Sequence, residues 1–190
     1  MDFNSVIEKR HSSRSFKPKK ADWRSILEAI DSALKAPFAD NRCNLKFIII
    51  ENPSSIKKMA ELSNQLWISE SLSLIIVCSD DTNLENMHKE RGRIYSRQQA
   101  GAAIENLLLK LTDLGLSSCW IGAYSDEMIK QTLNIPQHIQ IEALIPVGYE
   151  KKKEAKKRKS SLENHLYWEE WGNKHKGPIF KEEIHEFGIA

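Results

Sequence analysis

The sequence predicts an α/β or α+β sandwich built around a central sheet. Helical segments outweigh strands along the chain, and most of the strands are separated by helices. Size agrees: 190 residues, 41% of them hydrophobic, suit one globular domain that buries roughly 70% of its unfolded surface without a metal or disulfide staple.

The elements follow in order. Asp22 can cap a helix whose Trp23, Ile26, Leu27, Ile30 and Leu34 fall at helical spacing, and Pro37 ends it. Leu45–Ile50 reads as a strand. Asn52-Pro53, a capping residue followed by proline at the first helical position, opens a helix carrying Ile56, Met59, Ala60 and Leu62. Leu72–Ser79 is a second, apolar strand. The charged stretch Asp80–Gln99 has little pattern and reads as a loop or exposed helix. A strong helix follows, with Ala100, Ala103, Ile104, Leu107, Leu108, Leu111 and Leu114 on one broad face and Gly115 as its left-handed stop. Ser118–Tyr124 is a third strand, Ser125-Asp126-Glu127 starts a short helix, and Ile139–Tyr149 is a fourth strand weakened by Pro146. Trp120 reads as a core aromatic.

Composition excludes several chemistries. No apolar run approaches the ~20 residues of a membrane span. The start, Met1–Arg10, carries Asp2 and Glu8 without an apolar h-region, which is not a signal peptide. Cys43, Cys78 and Cys119 form no CxxC pair and read as reduced core thiols of a cytoplasmic protein. No G-x-G, HExxH or GxSxG occurs, so a cofactor would be held without a Rossmann turn or P-loop. His88, His138, His165, His175 and His185 are scattered and read as surface residues. Residues 151–159, KKKEAKKRK, hold seven Lys/Arg against one Glu; subtracting this +6 from the overall +2 leaves −4 elsewhere. Such a run attracts phosphate backbones. It lacks interleaved aromatics for base stacking, and a solvated face is the commoner use.

Chemistry concentrates near the N-terminus, in Arg10-His11-Ser12-Ser13-Arg14-Ser15-Phe16. Two arginines four apart with hydroxyls between them suit an anionic ligand, because guanidinium forks match phosphate oxygens. This segment resembles the R-R-S-x-R-x-F signature of the nitroreductase family, with His11 at the second arginine. Ala36-Pro37-Phe38-Ala39-Asp40-Asn41 resembles that family's A-P-S-x-x-N loop, and Asn64-Gln65-Leu66-Trp67 its polar turn before the second strand. Gly101–Leu109 is similar to its central helix, and Gly115-Leu116-Ser117-Ser118-Cys119-Trp120-Ile121-Gly122 to its G-L-x-x-x-W-I-G strand. Ile145–Tyr149 resembles I-P-x-G-Y, and Lys157-Arg158-Lys159 the basic segment that follows. The motifs span roughly residues 3–165 in the family's order.

The resemblance implies a nitroreductase-like α+β sandwich, with a mostly antiparallel sheet flanked by helices, that works as a homodimer with FMN at the interface. It implies an NAD(P)H-linked, ping-pong hydride transfer to a small organic acceptor (nitroaromatic, quinone or similar), with NADH or NADPH as donor. The implied flavin-binding residues are Arg10, His11, Ser12, Arg14, Pro37, Phe38, Ala39, Asn41, Asn64, Ile121, Gly122, Ala123 and Arg158. Arg10, Ser12 and Arg158 take the phosphate and Arg14 the ribityl or pyrimidine end. Pro37, Phe38, Ala39 and Asn41 come from the partner subunit. Asn64 meets the pyrimidine edge, and the backbone at Gly122 or Ala123 meets N5. No side chain is an obligatory acid, base or nucleophile, and no metal is implied.

The chain departs from the family at Phe38, at Cys43-Asn44-Leu45 after the loop, and at Ser71-Leu72 before the second strand, positions that bear on substrate preference. Two alternatives stand beside this expectation: an FMN-binding protein of the same fold used for flavin storage or conversion, and a nucleic-acid module on the 151–159 run. Residues 1–165 are expected to be the FMN-binding domain and 166–190 an extension packing on the dimer partner, with no membrane and no nucleic acid as partners.

Overall fold

Leu45–Ile50 (β1), Ser73–Asp80 (β2), Ser117–Ser118 (β3) and Ile139–Gly148 (β4) pair as one antiparallel sheet in the order β1-β2-β4-β3. This is a computed structural model, and it describes residues 1–152 and 160–174. The helices are Phe3–Lys9 (α1), Trp23–Ala33 (α2), Pro53–Leu62 (α3), Thr82–His88 (α4), Glu90–Asp113 (α5) and Asp126–Leu133 (α6). The chain divides into two units, Met1–Glu154 and Ala155–Ala190. The described part of the second has a single 3-10 turn at Leu162–His165 and a tilted Tyr167–Trp171 ring pair 4.8 Å apart. An α+β sandwich with an antiparallel sheet flanked by helices, as expected from the sequence, is the architecture of the first unit.

Period-two alternation divides the sheet between two cores. Ile75 and Val77 of β2, with Ala143, Ile145 and Val147 of β4, face α2 and α5. Leu74, Ile76 and Cys78, with Ile141 and Leu144, join Ile56, Met59 and Ala60 of α3, Ile68, and Ile129 of α6. With helices on both faces, β2 is buried along nearly its whole length, hence its unbroken apolar run. Alternation slips once. Val77 lies opposite Ala143 but Cys78 opposite Ile141, so Glu142 is the extra residue of a β-bulge.

Caps set the helix starts. Asp22 accepts from the Arg24 amide at 3.1 Å, and Asn52 accepts from Ser54 and Ser55 ahead of Pro53. Gly115 adopts φ +75° after α5; its amide donates to Thr112 O and that of Leu116 to Leu111 O, a Schellman closure.

The structure corrects four expectations. Of the two readings of Asp80–Gln99, loop or exposed helix, the helix holds, as α4 and the first turns of α5, but its exposure is interrupted: Leu84, Gly92, Ser96 and Gln99 are buried. The buried stripe of α5 begins at Gly92, but its early members are small or polar, so no apolar period announces them. The third strand shrinks to Ser117–Ser118 plus a bridge between Ile121 and Leu144. The register of Ser118 with Val147 sets Cys119 opposite Pro146, which has no N–H to offer, and the ladder lapses there. Trp120 is 41% exposed rather than core, with its ring edge 4.0 Å from the position of a Cβ on Gly101. Cys43 is exposed, whereas Cys78 and Cys119 are buried as expected. The short α1, in which only Val6 is buried, carries too little apolar pattern to be read from sequence.

His138 and His165 are exposed and His88 partly so, while His175 and His185 lie outside the described residues. Among the described residues no helix is long and apolar enough to cross a membrane.

Two expected outcomes follow from these contacts. A Cβ on Gly92 would press into the backbone of Leu84 and stand 2.6 Å from Glu85 N. Gly92→Ala should therefore destabilise by about 2 kcal/mol or more, read as a lowered urea midpoint; an unchanged midpoint contradicts the close α4–α5 packing. Burial pushes the Cys78 thiol up to about 11, partly opposed by the Lys130 charge. Iodoacetamide at pH 8 should alkylate Cys43 well before Cys78 in peptide mass maps. The unfolded thiol, at its ordinary 9.0, loses its proton first, so the stability Cys78 contributes below pH 9 is lost as pH rises towards 11.

Candidate functional site

The N-terminal segment is held along one edge of the sheet. Ser12 bridges Ser118 in parallel, Ser13 N donates to Ser118 O at 3.0 Å, and Phe16 bridges Glu150 just beyond β4. Glu70 accepts from Phe16 N at 3.1 Å, and the Phe16 and Trp67 rings stack 6.5 Å apart. Arg10 reaches the other way, pairing through Nε with Glu105 of α5 at 3.1 Å. His11 is fixed at both ring nitrogens, Nδ1 2.8 Å from Lys9 O and Nε2 2.6 Å from Glu150 Oε1. Ser13 Oγ donates to that same oxygen at 2.8 Å.

A second piece joins this edge. Ser125 N donates to Leu62 O at 2.9 Å and Gln65 Nε2 reaches Ala123 O at 3.4 Å, tying the turn after α3 to the strand end Ile121-Gly122-Ala123. Asn64, at the head of that turn, has φ +53° and is exposed. Ile121 is buried and doubly bonded to Leu144, whereas Gly122 and Ala123 are exposed. Among the described residues, nothing beyond its chain neighbours lies within 4 Å of where a Cβ on Gly122 would stand. The backbone here is open to a flat ligand, as glycine permits.

Pro37, Phe38, Ala39 and Asn41 form a separate group, held by the N-terminal half of α5. Pro37, Phe38 and Ala39 line a hollow of about 340 Å³ with Tyr95, Gln98, Gln99 and Ala102. Phe38 is partly buried against the core shared by α2 and α5. Asp40 and Asn41 take positive φ in succession, 51° and 56°, a strained turn that needs external support. Gln99 supplies it: Oε1 accepts from Ala39 N at 3.1 Å, while Nε2 faces Arg42 O at 3.4 Å and Asn44 Oδ1 at 2.5 Å. Asp40 pairs with His88 of α4 at 2.6 Å.

Behind Gln99 runs a buried polar chain. Asn44 donates to Ser96 Oγ, Ser96 donates to Asp81, and Arg97 pairs with both Asp81 and the bulged Glu142. Sequence reasoning missed Gln99, Glu105, Glu150, Gln65 and this chain. Gln99 had a signal, since it stands four residues before Ala103 on the inward stripe of α5. Gln65 and Glu105 lie within quoted motif segments, but nothing local pointed to their partners or to Glu150, because those partners are distant in sequence. Arg158 and residues 153–157 and 159 of the basic run lie outside the described residues.

The family model described as the nitroreductase family matches residues 7–74 and 73–149, which contain both groups of site residues. This chain belongs to the nitroreductase family. Its enzyme class is accordingly that of the flavin oxidoreductases. A protein of Archaeoglobus fulgidus, provisionally named NADH dehydrogenase/NAD(P)H nitroreductase, is 28% identical over 151 residues, covering 77% of this chain and 84% of its own. The crystal structure of a nitroreductase family protein from Clostridium novyi NT is 28% identical with a TM-score of 0.74, covering 91% of this chain and 96% of that one. An FMN-dependent nitroreductase from Clostridium difficile R20291 shares the fold, with a TM-score of 0.75 at 19% identity over 87% of this chain and 98% of that one.

The support given by Gln99 can be tested directly. Gln99→Leu leaves the Ala39 amide and the Asn44 side chain without their buried partner, at a cost of about 1–3 kcal/mol. The expected result is a lower urea midpoint with faster proteolytic nicking between residues 37 and 43. Unaltered nicking would mean that the loop is held by something else.

Proposed function

We propose that the protein is an FMN-dependent oxidoreductase that takes a hydride from NADH or NADPH and passes an electron pair to a small organic acceptor such as a nitroaromatic or quinone, in ping-pong fashion. The observation that carries this reading is the joining of Ser12 to Ser118, which sets the arginine segment beside the strand that ends in the open backbone of Gly122. The cationic side chains of the Arg10–Arg14 segment, together with the exposed backbone of Gly122 and Ala123, fit a phosphorylated flavin. When bound, FMN supplies the hydride chemistry that no side chain here offers.

The chain's own residues then bind and orient. Arg10 and Ser12 hold the phosphate, whose charge is roughly −1.5 to −2 if it behaves as an ordinary phosphomonoester; Arg158, the third phosphate residue that the resemblance implies, lies outside the described residues. His11 contributes to the same edge. Arg14 adds positive charge toward the ribityl or pyrimidine end, and Asn64 is the candidate partner for the pyrimidine edge. Ile121 anchors the strand so that the Gly122 and Ala123 amides remain available to the ring. Glu105 steers Arg10 through their ion pair.

The reading includes a homodimer in which Pro37, Phe38, Ala39 and Asn41 of a second copy close the site. Support comes from apolar side chains left exposed on α1 and α2, namely Phe3, Ile7, Leu27 and Leu34. Beside them, Met1, Phe3, Val6, Asn106 and Leu109 line a further hollow of about 400 Å³. Residues 166–174 are proposed to pack on the partner; the rest of the expected extension, 175–190, lies outside the described residues. The proposed location is the cytoplasm.

The test is the absorption spectrum of the purified protein, followed by anaerobic addition of NADH or NADPH. A flavin spectrum, FMN on heat release and bleaching by the nicotinamide are expected. A colourless folded protein that takes up no FMN overturns the reading. One that stays yellow with both nicotinamides favours flavin storage. Gly122→Val should fold normally yet lose at least about tenfold in FMN affinity, because the added side chain stands where the ring must approach.

A further inference from the structure

The imidazole of His11 lies between two groups that accept hydrogen bonds. Lys9 O, 2.8 Å from Nδ1, belongs to the last residue of α1, among the carbonyls at the negative end of the helix. A carbonyl oxygen cannot donate, so the Nδ1 proton is required. Glu150 Oε1, 2.6 Å from Nε2, also receives the Ser13 hydroxyl at 2.8 Å. A second proton therefore lies between Nε2 and Glu150, and the ordinary basicities of the two groups put it on the ring. Both ring nitrogens then donate, which only the charged form can do. The Glu150 side chain is 12% exposed and that of His11 33%, so water screens the pair only in part.

We propose that His11 is held as an imidazolium and acts as a positioning residue, clamping the Arg10–Arg14 segment to the end of β4 and making the protein's hold on a flavin phosphate depend on pH. The proposal rests on the functional reading above. The segment is anchored on one side by Ser12 and Ser13 at Ser118 and on the other by His11 and Phe16 at Glu150. Loss of the ring proton removes the His11–Glu150 attraction and leaves a carboxylate facing a lone pair, for which the Ser13 hydroxyl, 3.3 Å from Nε2, is a weak donor in exchange. Arg10 and Ser12 flank that point directly. Among the described residues, the charged groups next to or bonded to this segment include Glu8, Lys9 and Arg10 at the end of α1, Arg14 and Lys17 in or just after it, Glu105 on α5, Glu70 ahead of β2, and Glu150 and Lys151 after β4. Of these and His11, only the imidazole has an ordinary titration near neutrality.

Two measurements test it. The first is the ¹⁵N shift of the His11 ring in the flavin-free protein, which distinguishes the doubly protonated ring from either neutral tautomer. At pH 6.5 both nitrogens should carry protons; a neutral ring there overturns the clamp. The second is FMN affinity from pH 6.5 to 9, over which the phosphate gains only about a quarter of a charge if its second pKa is about 6, a change common to every variant. Wild type should weaken by about tenfold, the change that follows when proton affinity differs by one unit between loaded and free protein. His11→Arg, with a permanent charge, and His11→Asn, with none, should both lack this step, the second binding more weakly at pH 6.5. A pH profile shared by wild type and His11→Asn overturns the dependence alone. No flavin uptake by wild type at any pH overturns the functional reading and the dependence with it.

Discussion

The inward stripe of α5 is the constraint on which the rest of the structure depends. Nine of its residues, from Gly92 to Leu111, are buried. The C-terminal part is apolar and packs with α2 on the sheet. The N-terminal part cannot be, because the stripe there meets backbone and polar groups. Gly92 lets α4 approach closely, Ser96 joins the polar chain from Asp81, and Gln99 holds the turn at Ala39. Within two turns of one helix, Gln99 touches one group of candidate residues, Gly101 lies under Trp120, and Glu105 pairs with Arg10 of the other group. A rigid rod thus sets the spacing of parts that no loop could fix relative to one another.

The sheet contributes a second device. By inserting Glu142, the bulge in β4 puts an extra carboxylate beside Arg97 and Ser79. Arg97 thereby meets two acids, and the charges inside the protein are paired rather than exposed singly to a poor solvent. From Arg97 the hydrogen bonds run through Asp81, Ser96, Asn44 and Gln99 to the strained turn at Asp40 and Asn41. The local backbone strain is offset by a network whose members come from β2, the start of α4, α5 and the chain before β1.

Much of the fold was legible from sequence because its signals are local. Asp22, Asn52-Pro53 and Gly115 mark helix ends by short-range bonding, and Leu45–Ile50 has the boundaries of the observed strand. The signals failed where neighbours in space decide. Trp120 is apolar in type yet half-exposed at the sheet edge. Cys119 cannot pair because Pro146 stands across from it, and the early turns of α5 are buried without being apolar. The candidate site was legible as motifs, among them Arg10–Phe16 and Gly115–Gly122. The residues that position them were not. Glu105, Glu150, Gln65 and Gln99 are ordinary polar side chains until the fold brings partners to them.

By itself, the sequence determined most of the elements, their order and the family, because hydrophobic period, caps and motif order are properties of neighbouring residues. Tertiary structure alone decided which groups meet. It placed the arginine segment beside the strand leading to Gly122, set the Pro37–Asn41 turn on a different part of α5, and fixed the His11 ring between two acceptors. Hydrogen-bond geometry and burial are relations between residues far apart in the chain, and only the packed sheet and its helices bring those residues within reach.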